Sequence, residues 1–140
     1  MQPMEAEALN EAIAKARAVM LRAHAPHSGF RVGAAVVLSD GAVFAGCNVE
    51  SASYGLTLCA ERSALSAVIA ARGSLAADAV RLVVVATEAD GPTPPCGACR
   101  QWLVEFAPNA EVLAVARDGR SASWSVAELL PDAFTGDQLP

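Results

Sequence analysis

Aromatic residues are scarce in this 140-residue chain, at 5% of the total, and charged residues are few, at 18%. A core of large rings is therefore excluded. What can be buried is aliphatic side chain and alanine, of which there are 31. Alanine contributes little area per residue, so elements must approach closely, and subunit association is expected to supplement a thin core. Basic residues are outnumbered, with Lys+Arg 10 against Asp+Glu 15 and a formal net charge of −5. That balance argues against a broad phosphate-tracking surface, and no nucleic-acid partner is expected. No run approaches the roughly 18 apolar residues that span a bilayer, so no membrane partner is expected either. The opening MQPMEAEALNEAIAKARAVM is acidic and has no apolar stretch of signal-peptide type. Four cysteines are too few for a disulfide scaffold. A cytoplasmic location is expected, where thiols stay reduced. No GxGxxG or GxxxxGK[ST] pattern occurs, so Gly33, Gly46 and Gly55 read as turn or close-packing glycines.

What is present reads as a single domain over residues 1–140. Residues 4–23 carry Leu9, Ile13, Ala16 and Met20 at the spacing of one buried helical face. HAPHSGF follows as a turn. Residues 31–38 and 42–47, joined by SDG, predict a hairpin. From Cys59 to Arg72 the pattern is helical, with Leu65, Val68 and Ile69 inward and Gly73 as the stop. The unbroken apolar run at 80–86 predicts a strand covered on both faces. PCGACRQWLVEF starts a third helix, 111–116 is a strand, SASWS a short final strand and VAELLP a last short helix. This order predicts a three-layer α/β/α fold around a mixed, five-stranded sheet.

The chemistry is concentrated in cysteines. Cys96 and Cys99 lie three apart in the first turn of a predicted helix, and Cys59 opens another. Three thiolates gathered at two positive helix ends would be kept deprotonated, and Arg62 and Arg100 would offset their charge. Three ligands with an open fourth position describe catalytic zinc. Glu61, two residues after Cys59, is placed to exchange protons with a metal-activated water. Two other readings differ in kind: a closed structural site completed by Cys47, or a redox CxxC. Against them, Cys47 ends a strand as a small hydrophobe, and neither gives Glu61 a task.

The patterns CAE and PCGAC match the zinc deaminase signature, with cysteine as first ligand. With FRVGAAV, GCNVESASYGLTLCAERSAL, PCGACRQWLVEF and ELLPDAF, the chain resembles the small, homotetrameric cytidine deaminases from about residue 9 to 135. The resemblance implies a cytidine deaminase-like fold with one zinc per subunit on Cys59, Cys96 and Cys99, and Glu61 as proton shuttle. It implies that Asn48 and Glu50 bind the ribose hydroxyls, Phe30 lines the pyrimidine pocket and the Ala60 backbone reads the base edge. Tyr54 would reach a neighbouring subunit's site and Phe134 would cover the base there, in a homotetramer with shared active sites. The implied reaction is hydrolysis of cytidine and 2′-deoxycytidine to uridine and 2′-deoxyuridine, releasing ammonia as zinc-activated water attacks C4. Three positions depart from the family's pattern: His27 stands where tyrosine is frequent, Ser51 where asparagine is, and Trp102 where a smaller aliphatic residue is. His27 and Ser51 leave open another aminopyrimidine substrate, such as a nucleoside antibiotic. A third class is a zinc-stabilised interaction domain without turnover.

Overall fold

Five strands form one sheet in the computed structural model, which describes residues 4–140; the expected domain's residues 1–3 lie outside the described residues. They are β1 (Val32–Leu38), β2 (Val43–Cys47), β3 (Val80–Thr87), β4 (Glu111–Val115) and β5 (Ser121–Ser125). The spatial order is β2-β1-β3-β4-β5. Only β3 and β4 pair in parallel; the other neighbours are antiparallel. The mixed sheet predicted from the sequence is thus observed.

Helices cover both faces, which explains the lack of alternation in β1 and β3. Ala34, Val36, Val83 and Val85 pack with Ala64, Leu65 and Val68 of α2 (Ala60–Arg72) and with Leu103 of α3 (Gly97–Phe106). Val126 and Leu129 of the short α4 (Val126–Leu129) join this side. Ala35, Val37, Leu82, Val84 and Ala86 face Ala12 and Ala16 of α1 (Ala6–Met20). Helix α1 is shorter than the periodicity predicts, because the chain turns to join residues 48–50. The His24 N–H donates to Asn48 O at 3.0 Å, and the Glu50 N–H to His24 O at 2.8 Å. No described helix is long and apolar enough to cross a membrane.

Two glycines set how closely helices approach the sheet. A Cβ on Gly33 would run into Ala16 O and lie 2.8 Å from Met20 N and 2.9 Å from Met20 Cβ. One on Gly46 would meet α2 at Ala64. Gly33→Ala must push α1 off β1, and overpacking of this kind costs about 1–3 kcal/mol. The expected result is a Tm lower by roughly 3–12 °C. An unchanged calorimetric transition would show that α1 yields freely.

Candidate active site

Strands β2 and β3 both run antiparallel to β1, so they point the same way and end at the same edge of the sheet. Helix α2 follows β2 and α3 follows β3 in the chain, and both helices start at that edge. Cys59 is the residue before the first turn of α2, and Cys96 holds the same position on α3. Neither makes the side-chain cap bond a serine or aspartate would make there. Their sulfurs lie 3.6 Å apart, and with Cys99 the three fall within 4.8 Å of one another. Among the described residues Cys47 is not part of this group.

The Arg62 guanidinium donates to Cys59 Sγ at 3.4 Å and to Thr57 O at 3.3 Å. A hydrogen bond from Cys99, helped by Arg62 and opposed by burial, holds the Cys59 thiol down at about 5. The Cys99 thiol is pushed up, chiefly because it donates to Cys59 and secondly because it is buried. Arg62 Nε is buried without an acceptor, a donor left over beside a sulfur cluster. Three soft donors, compensating charge and no fourth protein ligand in the group fit zinc with an open position. Arg100, expected to offset the thiolates, bonds elsewhere. Its Nε–H donates to Pro95 O at 2.8 Å and its Nη1–H to Leu129 O at 2.9 Å.

A cavity of about 260 Å³ opens beside the cluster. It is lined by Cys59, Ala60, Glu61 and Cys96, and also by Phe30, Val32, Asn48 and Glu50. Glu61 is 4% exposed. Burial pushes its carboxyl up to about 6; its own backbone N–H opposes this, and the Cys59 charge adds to it. Asn48 Oδ1 accepts from Val32 N–H at 2.8 Å, and its Nδ2 donates to Phe30 O at 2.9 Å. Glu50 accepts from the N–H groups of His27 and Ser28 at 2.9 and 3.0 Å and from the Ser28 hydroxyl. These bonds, the Ser28 hydroxyl's first, hold its carboxyl below the usual range. After this accounting Asn48 retains one N–H and Glu50 one lone-pair site, a donor and an acceptor among the groups lining the cavity. An Arg31–Glu88 ion pair ties the Phe30 segment to the β3–α3 loop.

Tyr54 and Phe134 are 77% and 58% exposed, and neither lines this cavity. Tyr54 borders a second one with His27, Ser28, Glu50 and Thr57, and the His27 and Tyr54 rings meet edge-on at 5.9 Å. Ser51 organises its own loop, taking a hydrogen bond from Ser53 N–H and giving its N–H to Thr57 Oγ1. Trp102 packs edge-on against Phe106. Sequence reasoning misses Ser28, Thr57, Thr87 and Thr93, which also line the main cavity. The run TPP before Cys96 is the only signal among them.

The family model for the cytidine and deoxycytidylate deaminase zinc-binding region matches residues 6–116. A cytidine deaminase of Halalkalibacterium halodurans is 45% identical over 118 residues, covering 84% of this chain and 86% of the relative. One from Mycobacterium tuberculosis is 43% identical over 121 residues, covering 84% and 83%. The crystal structure of cytidine deaminase from Burkholderia pseudomallei superposes with a TM-score of 0.84 at 48% identity, covering 94% of this chain and 100% of that one. The span matched by the family model holds all three clustered cysteines and Glu61. The chain belongs to the zinc-dependent cytidine and deoxycytidylate deaminase family.

Proposed function

We propose that this protein hydrolyses cytidine and 2′-deoxycytidine to the corresponding uridines and ammonia, acting as one domain over residues 1–140. The observation that carries this reading is the shared cavity, which a buried Glu61 lines together with Cys59 and Cys96 of the cluster and with Asn48 and Glu50. Cys59, Cys96 and Cys99 would hold the zinc, whose chemistry when bound would be to lower the pKa of a water towards neutrality. Glu61 takes a proton from the attacking water at its carboxylate and hands it to ring N3, then takes the remaining proton of the hydroxyl added at C4 and gives it to the amine as the C4–N bond breaks. Phe30 and Val32 provide an apolar wall for the ring, and the Ala60 backbone at the start of α2 reads its edge. Arg62 steadies the charge on Cys59. The test is turnover of cytidine by zinc-loaded protein, followed by the absorbance change and ammonia release. Confirmed zinc with no uridine formed would overturn the substrate.

The spare N–H of Asn48 and the spare acceptor of Glu50 can bracket one sugar hydroxyl, which accepts from the first and donates to the second. A site built to bond a hydroxyl rejects analogues that leave its polar groups unpaired. Free cytosine is therefore expected to show a kcat/KM about 10⁴-fold below that of cytidine. Equal efficiencies for the two would remove Asn48 and Glu50 from sugar recognition.

A homotetramer with shared sites is the assembly we propose. It is supported by the solvent-facing Tyr54, Leu56 and Phe134, all more than half exposed, on a chain whose own core is rich in alanine. Light scattering on active enzyme is expected to give four copies; an active monomer would refute it. The need for reduced thiols supports a cytoplasmic setting.

A further inference from the structure

Phe134 poses a positioning problem. Its side chain is 58% exposed, so packing within its own chain does little to fix it. Its backbone, by contrast, is held: Gln101 Nε2–H donates to Phe134 O at 2.8 Å. Just upstream, Arg100 holds Leu129 O at 2.9 Å. Beyond Phe134 the chain closes on itself, with the Thr135 N–H and hydroxyl donating to Gln138 Oε1 and a short 3-10 turn at Gly136–Gln138. Among the described residues, the other hydrogen bonds of residues 131–140 stay within this tail. Helix α3 therefore carries Cys99 of the cluster, while Arg100 holds the end of α4 and Gln101 fastens the tail.

From this arrangement we infer that Gln101 is a positioning residue, which acts through the Phe134 backbone to aim the exposed ring at the site of a second copy. The inference rests on the proposal that Phe134 covers the base in a neighbouring subunit. A local structural bond would contribute only to the stability of the tail. A positioning bond must alter substrate affinity, and only while the Phe134 ring is present.

The test is a double-mutant cycle on zinc-loaded enzyme. Gln101→Met keeps the length of the side chain and removes its donor. It is expected to raise KM for cytidine roughly 3–10-fold, the net worth of one hydrogen bond, with kcat and zinc content unchanged. Phe134→Ala should raise KM at least as much, and the double variant should match Phe134→Ala alone. If Phe134→Ala leaves KM unchanged, the covering role fails and takes the inference with it. If Phe134→Ala raises KM and Gln101→Met does not, the covering role stands and the inference is overturned. Multiplying effects in the double variant overturn it too, since Gln101 would then act independently of the ring.

Discussion

Glu61→Gln is expected to lower kcat by roughly 10²–10⁴-fold while leaving zinc content and substrate binding intact. The substitution preserves shape, so the buried site at the start of α2 is not opened. What it removes is the ability to take one proton from water and give it to the ring, and then to carry a second from the new hydroxyl to the amine. A carboxamide does neither at any accessible pH. At about 1.4 kcal/mol per decade, the loss corresponds to roughly 3–5 kcal/mol of barrier. Metal analysis and kcat on the same preparation check it. A kcat close to that of the parent enzyme would mean that another group moves the protons.

Cys99→Ala is expected to abolish stoichiometric zinc and, with it, measurable deamination. Cys99 is fully buried, so no outside residue can replace it. Cys59 and Cys96 alone leave two sulfurs 3.6 Å apart, too few for a three-ligand site. The parent protein should also melt higher with zinc than after chelation, because a ligand at about 100 times its Kd adds roughly 2.7 kcal/mol. In Cys99→Ala that difference should vanish. Cys47→Ala is the control that separates the open site from a closed one: Cys47 lies outside the cluster among the described residues, so zinc and turnover should persist. Full zinc occupancy in Cys99→Ala would dissolve the proposed ligand set.

Most of this architecture is legible in the residues because each element has its own local signal. The unbroken 80–86 run gave a strand buried on both faces, and β3 extends only one residue further, to Thr87. SASWS, with little hydrophobicity, still pairs as β5 because it lies at the sheet edge, where one partner suffices. The cysteines and Glu61 were readable from spacing, since helix starts concentrate such chemistry in short motifs. Partners distant in sequence were not readable. Nothing near Arg100 announces Leu129 O, 29 residues away, and nothing near Glu50 announces the Ser28 hydroxyl, 22 residues away. The same is true of the threonines in the cavity wall, whose position depends on how β3 and its loop meet the Phe30 segment.

The cysteine cluster also has a consequence for synthesis. Cys59 and Cys96 are 37 residues apart in the chain, and at about 5–20 residues per second a ribosome needs roughly 2–7 s to make the stretch between them. At the start of that interval the nascent chain holds α1 and the β1–β2 hairpin, and α2 is then added. Until residue 87 is made it lacks a complete β3, so for most of the interval one edge of β1 has no full strand beside it. The earliest folded species thus carries Cys59 without Cys96 and Cys99, and an open strand edge, the feature most prone to pair with other chains. Metal capture belongs to the finished polypeptide, and the interval before it is when the newborn protein most needs shielding.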